Sequence, residues 1–318
     1  MSCPRIAEHD LLRGVGRTPL VELSPEPALP RGVRLLAKLE SVNPGGSLKD
    51  RPASRILARA IVEGRLAGGR RLLDSSSGNA GIAYAMFGAA LGVPVTLVVP
   101  GNASRERLER IAAHGAELIL TDPLEGYDFA LRQARRLAQA YPDRYWYADQ
   151  YSNDENWRAH YDTTGVEILE QVRERTGRGP DAFVCGVGTG GTLTGVGRRL
   201  REARPDLHLV AIVPETFPGI EGLKPLGAPD DIVPEILDPS LIDERVAVTS
   251  EQALAACASI ARQGWFVGPS SGAYVAAALR LARAGRHRTV VTLLNDSGER
   301  YGSTEMWSRR VAAGAEAR

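Results

Sequence analysis

Short apolar runs alternate with longer amphipathic segments along most of the chain. The runs are rich in β-branched residues and apolar on both faces, which is typical of strands in a sheet that helices cover on both sides. They predict strands over Leu35–Leu39, Val95–Val99, Leu118–Leu120, Ala182–Val187, Leu209–Val213 and Thr289–Leu294. The pattern therefore indicates an α/β fold with mostly parallel sheets.

The segments between these runs have helical periodicity. Pro52–Ala67 carries an apolar stripe, and Ala80–Leu91 is apolar nearly throughout. Further helices are predicted over Ser104–His114, Asp128–Ala140, Thr163–Arg175, Leu193–Ala203, Ser250–Gln263 and Ala273–Ala284. Regular alternation of strand and helix is expected when each parallel strand is joined to the next by a helical crossover.

The chain is long enough for two lobes. It has 318 residues, whereas a domain usually has about 100–150. We predict a smaller lobe over 41–155, a larger lobe formed by 1–40 and 156–310, and a tail over 311–318. The polar run Asp149–Asn156 is interpreted as a crossing between the lobes, and the proline-rich stretch Pro214–Pro239 as a long functional loop.

Charge and composition exclude several classes of partner. The 39 Lys+Arg residues nearly balance the 38 Asp+Glu residues, so nothing indicates a nucleic-acid or anionic-membrane partner. The three cysteines are far apart and form no metal-ligand pair. No signal peptide and no membrane-spanning run is recognised, so we expect a cytoplasmic protein without a metal site.

A lysine follows a glycine-rich turn at the start of a predicted helix. Lys49 lies in Asn43–Arg51, directly before Pro52, which suits the first turn of a helix. The positive end of a helix dipole favours a neutral amine over an ammonium, and the neutral amine is the nucleophile in imine formation. Taken alone, this pattern is more often an ordinary solvated loop lysine.

Hydroxyls and an amide open the next helix. Ser75–Gly81 combines three serines, two glycines and Asn79 at a predicted helix start. Side-chain donors and free backbone N–H groups at such a position can bind a carboxylate. A plain helix cap is the alternative.

A glycine-rich loop lies between a strand and a helix at Gly186–Thr192. Glycines let several backbone N–H groups converge on one phosphate, and threonine hydroxyls add donors. The spacing of Gly186, Gly188 and Gly191 also satisfies the dinucleotide fingerprint, and Glu215 ends the next strand, where a ribose-binding acid is expected. An NAD-binding oxidoreductase is therefore an alternative from another class.

A further serine pair opens the helix after Gly268. In Gly268–Ala273, the Ser270 hydroxyl could form a hydrogen bond with a ring nitrogen without protonating it. A capping serine is the alternative.

In this order, the four motifs closely resemble the cysteine synthase branch of the fold type II pyridoxal-phosphate enzymes, which includes O-acetylserine sulfhydrylases and cystathionine β-synthases. The resemblance extends from Gly16–Leu20 to Ser297–Tyr301, nearly the whole chain. It argues against the NAD alternative, because a Rossmann enzyme does not need the other three motifs. It implies two lobes like those of the tryptophan synthase β-subunit, the cofactor pyridoxal 5'-phosphate and a homodimer.

The resemblance also implies a role for each matching residue. Lys49 would carry the cofactor as a Schiff base and move protons, and Asn79 would contact the phenolic oxygen of the cofactor. The pyridine nitrogen would face Ser270, and the phosphate would be held by Gly188, Thr189, Gly190, Gly191 and Thr192. The substrate would be bound through its carboxylate by Ser76, Ser77 and Gln150, and near its amine by Gly222.

The implied reaction is a β-replacement on an O-activated serine through an aminoacrylate intermediate, with a thiol or sulfide as the second substrate. Two positions depart from the family pattern: Ala80 replaces a threonine, and Asn153-Asp154 replaces an asparagine-proline pair. O-acetylserine is favoured, because the loop that supplies an arginine in O-phosphoserine enzymes offers only Lys224. O-phosphoserine, cystathionine β-synthase activity and a nitrogen or oxygen nucleophile remain alternatives.

Overall fold

The computed structural model describes residues 9–76, 78–226 and 231–303. The strands are β1 Leu20–Leu23, β2 Arg34–Leu39, β3 Arg71–Ser75, β4 Val95–Pro100, β5 Glu117–Thr121, β6 Tyr145–Tyr147, β7 Ala182–Gly186, β8 His208–Pro214, β9 Glu244–Val248 and β10 Thr289–Leu294. The helices are α1 Asp10–Arg13, α2 Asp50–Val62, α3 Asn79–Leu91, α4 Arg105–Ala113, α5 Gly126–Ala140, α6 Asp154–Ala159, α7 Gly165–Thr176, α8 Gly191–Ala203, α9 Ser250–Ala261 and α10 Pro269–Arg283.

The strands form two sheets. The larger has the order β1-β2-β10-β7-β8-β9 and the smaller β5-β4-β3-β6. All pairings are parallel except that of β1 with β2, which is antiparallel. Two mostly parallel sheets, each with its own apolar core, confirm the predicted α/β fold class. The lobe boundaries at 40/41 and 155/156 stay a prediction.

All six predicted strands are present, but four others were missed. β1 and β6 are only four and three residues long, too short for a clear period. β3 ends in polar Asp74 and Ser75, which are nevertheless buried, and β9 lies at a sheet edge with three of its five residues exposed. Short, polar or edge strands give weak hydrophobic patterns.

Two predicted boundaries also differ. The polar run interpreted as a crossing is partly helical, because α6 begins at Asp154 after Asn153 caps it. Helix α2 begins at Asp50, two residues before Pro52. The first N–H groups of a helix have no intrahelical acceptor, so a proline in the first turn removes no hydrogen bond. No helix in the described ranges has the length and apolar character needed to cross a membrane.

Candidate active site

A cavity of about 1090 Å³ lies between the two sheets, where the carboxyl ends of β3 and β7 meet the starts of α3 and α8. Of the residues predicted for the site, ten line it: Lys49, Ser76, Asn79, Gln150, Gly188, Thr189, Gly190, Thr192, Gly222 and Ser270. Gly191 lies behind the cavity wall in the first turn of α8, and Ser77 lies outside the described residues. The structure thus brings together residues from four separate motifs.

Lys49 is the residue that precedes α2, and its loop is fastened to the larger sheet. The N–H of Leu48 donates to the carbonyl of Asn295 at 2.9 Å, and Ser47 forms an antiparallel bridge with Asp296. Burial lowers the pKa of the Lys49 amine, and the charge of Asp296 opposes that change. The lowered pKa increases the neutral, nucleophilic fraction of an amine that faces the cavity.

A buried ionic cluster holds the start of α2 from behind. Arg51 pairs with Glu40 and with Glu167, each at 2.7 Å, and Lys38 pairs with Glu167 at 2.7 Å. Burial alone would raise the pKa of Glu167, but the hydrogen bonds and charge of Arg51, with Lys38, hold it at about 2. These charges stay paired near neutral pH, so they fix the orientation of the helix that positions Lys49.

The start of α3 forms the second wall. The Ser76 hydroxyl accepts hydrogen bonds from the N–H groups of Gly81 at 2.9 Å and Gly78 at 3.3 Å, so its own proton stays available to a ligand. The Gln150 amide donates to the Ser75 carbonyl at 3.0 Å, which orients it. Ala80 lines the same wall and offers no donor there.

Asn79 is held by residues that follow β10. Its Nδ2 donates to Asp296 at 2.7 Å, and its Oδ1 accepts from Arg300 at 2.6 Å. Tyr301 also donates to Asp296, at 2.7 Å. Since an amide NH₂ carries two protons, one remains for a ligand. Sequence reasoning matched the segment 297–301 to the family but assigned it no such role.

The glycine loop between β7 and α8 is enclosed by neighbouring backbone. A Cβ on Gly188 would lie 2.7 Å from the Gly222 carbonyl oxygen, and Gly190 has φ +79°. Asn156 donates to the Thr189 hydroxyl at 3.1 Å. The first N–H of α8, that of Gly191, donates to the Thr189 hydroxyl at 3.4 Å. The next N–H groups of the helix have no intrahelical acceptor and can bind an anion. The geometry of the loop suits a phosphate group.

His160 supports this loop from beneath, and sequence reasoning missed it. Its Nε2 lies 3.3 Å from the Thr192 hydroxyl, and its Nδ1 lies 3.0 Å from that of Thr164. Burial, with the charges of Arg51 and Lys49, holds the pKa of His160 well below its usual range. The imidazole is therefore neutral, and it orients Thr192 without adding charge beside the phosphate site.

Ser270 lies across the cavity in the first turn of α10. Its hydroxyl accepts a hydrogen bond from Asn295 at 3.1 Å. Gly222 has φ +87°, and a Cβ there would lie 3.8 Å from the Ser270 Cβ, so the two predicted residues are neighbours. Position 222 favours glycine because of its left-handed backbone.

Three cationic residues besides Lys49 line the cavity within the described ranges, and each has an acidic partner. Lys224 pairs with Asp128 at 2.7 Å and Arg105 with Glu109 at 2.6 Å. The third, Arg107, is buried and pairs with Glu221. The cavity therefore presents little uncompensated positive charge to the part of a ligand that lies beyond the phosphate loop.

Glu215, the acid that the dinucleotide alternative assigned to the ribose, lines the cavity. Its carboxylate accepts a hydrogen bond from the N–H of Ser250 at 2.5 Å, next to the start of α9. The acid that the dinucleotide alternative required is thus used within the fold.

Comparison with known proteins agrees with this arrangement. A family model described as pyridoxal-phosphate dependent enzyme matches residues 11–296. The cysteine synthase of Aquifex aeolicus (strain VF5) is 45% identical over 313 residues, which cover 96% of this chain and 94% of that protein. The crystal structure of O-ureido-L-serine synthase has 38% identity and a TM-score of 0.84, and the match covers 94% of each chain.

A second solved structure extends the comparison. O-acetylserine sulfhydrylase isoform 3 from Entamoeba histolytica matches with 33% identity and a TM-score of 0.84, over 97% of this chain and 94% of that chain. These likenesses cover nearly the whole chain and both sheets. The chain belongs to the pyridoxal-phosphate dependent enzyme family, and it is a pyridoxal 5'-phosphate enzyme of the cysteine synthase type.

Proposed function

We propose that this enzyme makes cysteine from O-acetylserine and sulfide. The observation that carries this choice of substrate is the pairing of Arg105, Arg107 and Lys224 with acidic residues. A phosphate leaving group has two negative charges near neutral pH and needs uncompensated cations or several donors. An acetyl ester is neutral and does not.

In this proposal, Lys49 binds the cofactor and afterwards carries the α-proton of the substrate. The lowered pKa of Lys49 increases the fraction of neutral amine, which is the form that can accept a proton. When bound, pyridoxal phosphate withdraws electrons from the α-carbon of the substrate. Asn79 orients the ring, Gly188–Thr192 bind the phosphate, and Ser270 faces the ring nitrogen.

The substrate carboxylate is bound at the start of α3 by Ser76, Ser77 and Gln150. The free proton of the Ser76 hydroxyl and the second amide proton of Gln150 support this assignment. Gly222 places backbone next to Ser270, where it lines the side of the substrate amine. The protein acts as a homodimer, which light scattering at several concentrations would test.

A second candidate is β-replacement with a nitrogen or oxygen nucleophile. The likeness to O-ureido-L-serine synthase supports it.

The test measures kcat/KM for O-acetylserine, O-phosphoserine and serine, each with sulfide, homocysteine or hydroxyurea. We expect the highest value for O-acetylserine with sulfide. Borohydride should fix the cofactor on Lys49, as peptide mass spectrometry would show. A higher kcat/KM for O-phosphoserine would contradict the substrate, and an adduct on another lysine would contradict the Lys49 assignment.

A variant at Asp128 tests whether charge pairing selects the substrate. Asp128→Asn removes the partner of Lys224 and should raise kcat/KM for O-phosphoserine relative to O-acetylserine. Glu155→Gln is the matched control, because it loosens Arg55, which does not line the cavity. If both variants leave the ratio unchanged, charge pairing does not select the substrate.

A further inference from the structure

Asn295 lies at the carboxyl end of β10 and lines the cavity, although no motif drew attention to it. Its backbone is held at two points. The N–H donates to the Ser271 hydroxyl at 2.8 Å, and the carbonyl accepts from the N–H of Leu48 at 2.9 Å. The side chain therefore projects from a rigid position between the Lys49 loop and the start of α10.

Two neighbouring hydroxyls determine how the Asn295 amide is oriented. Its Nδ2 donates to the Ser270 hydroxyl at 3.1 Å. Tyr274 gives its only proton to the Gly186 carbonyl at 3.1 Å. Burial raises the pKa of the Tyr274 phenol, and a hydrogen bond with the Asn295 side chain opposes that rise. The phenol oxygen can then only accept, so the nitrogen of the amide faces both hydroxyls.

This orientation restricts what the Ser270 hydroxyl can do. A hydroxyl has one proton and two lone pairs, and the amide occupies a lone pair. Within the described ranges, the hydrogen bond from Asn295 is the one that the structure gives this hydroxyl. Its proton is left to an acceptor in the cavity, whereas an acceptor at position 295 would draw the proton back.

We propose that Asn295 is a positioning residue, which commits the Ser270 hydroxyl to donate its proton to the ring nitrogen of the bound cofactor. This inference rests on the assignment of Ser270 in the proposed function. A neutral hydroxyl donor polarises the ring nitrogen without giving it a full positive charge, because its proton is far less acidic than a pyridinium proton. Asn295 thus sets the electron demand of the cofactor through Ser270.

The experiment compares Asn295→Asp and Asn295→Leu with Ser270→Ala, alone and combined, in the full-length holoenzyme. The carboxylate of Asn295→Asp is isosteric with the amide but only accepts, so the Ser270 proton should turn toward it. We expect Asn295→Asp and Ser270→Ala to shift the absorbance maximum of the bound cofactor in the same direction. Each should weaken binding of pyridoxal phosphate to the apoenzyme by about 2- to 10-fold, as for one lost hydrogen bond.

The Asn295→Leu variant should give a smaller shift, because it leaves the hydroxyl free to rotate. In the Ser270→Ala background, Asn295→Asp should shift the spectrum no further. A full additional shift in that background, or an unchanged spectrum in Asn295→Asp alone, would overturn the inference.

Thr292→Val is the control for general loosening of β10. It removes the buried hydrogen bond of 2.8 Å that the Thr292 hydroxyl donates to the carbonyl of Val184 on the neighbouring strand β7, and it should lower thermal stability without shifting the spectrum. A shift in this variant would overturn the inference, since the spectrum would then report loosening. An unchanged spectrum in Ser270→Ala would also overturn it. Borohydride fixation of the cofactor on Lys49 would separately support the proposed function.

Discussion

The starts of α3 and α8 both present polar groups to the cavity, but they do so in different ways. Each helix has 13 residues, follows a buried parallel strand and opens onto the cavity. At α3, the Ser76 hydroxyl already accepts from two backbone N–H groups. At α8, Gly190 with φ +79° precedes the helix, and the Thr189 hydroxyl accepts from the N–H of Gly191 at 3.4 Å.

The residues that support the two helix starts differ as well. The glycine loop before α8 is enclosed by Gly222, Asn156 and His160. Asn79 at the start of α3 is held by Asp296 and Arg300, which follow β10 of the larger sheet. A preorganised loop loses little entropy on binding and suits an anion that stays bound. The α3 start, with contacts that cross between sheets, suits a carboxylate that arrives and leaves in each turnover.

The largest expected effect is on the α8 side. Gly188→Ala would place a Cβ 2.7 Å from the Gly222 carbonyl oxygen, so the backbone of the loop must move and the phosphate site is lost. We expect purified protein without cofactor, measured by absorbance and phosphate content. Gly78→Ala is the control at α3, because a Cβ there has no atom within 4 Å and should leave the cofactor bound.

Removal of the Ser76 hydroxyl at the start of α3 should change substrate binding and leave cofactor binding unchanged. Ser76→Ala should raise the KM for O-acetylserine by about 10- to 100-fold, since a hydrogen bond to a charged group contributes ~1.5–3 kcal/mol. The cofactor spectrum should not change. Steady-state kinetics on cofactor-saturated enzyme provide the measurement, and loss of cofactor from this variant would contradict the division of roles between the two helices.

Addition of a hydroxyl at position 80, also at the start of α3, should change the KM less and in the opposite direction. Ala80 lines the cavity without a hydroxyl, so Ala80→Thr should lower the KM for O-acetylserine about tenfold if a hydrogen bond of roughly 1.5 kcal/mol is gained. A higher KM or a loss of activity would show that this wall is shaped for another substrate.

The last effect is on stability and concerns pH and the strand before α3. Burial raises the pKa of Asp74 to about 8, so folding favours the protonated carboxyl. Its stabilising contribution is complete below about pH 4 and is lost as pH rises toward 8, with a slope of at most ~1.4 kcal/mol per pH unit. Urea unfolding at pH 5 and 8 should show a weaker pH dependence in Asp74→Asn. An equal difference between wild type and variant at both pH values would refute it.

Local chemistry explains which features were predictable. The glycine loop before α8 is a feature of one short segment, so the sequence could predict that its residues lie together, and four of the five line the cavity. Asn295 and His160 were missed because their partners, Ser270 and Thr192, come from other elements, and no spacing along the chain records such contacts. The same reason hid β6, which has only three residues and is defined by its pairing with β3.

The position of β10 in the larger sheet has a consequence for synthesis. Although nearly last along the chain, it pairs with both β2 and β7, and the segment that follows it bonds to Ser47 and Leu48 beside Lys49. A ribosome-bound chain that still lacks residues 289–294 thus has Lys49 without its supporting wall. The wall beside Lys49 can form only after residues 289–296 have been synthesised, and until then the unpaired edges of β2 and β7 are exposed to aggregation.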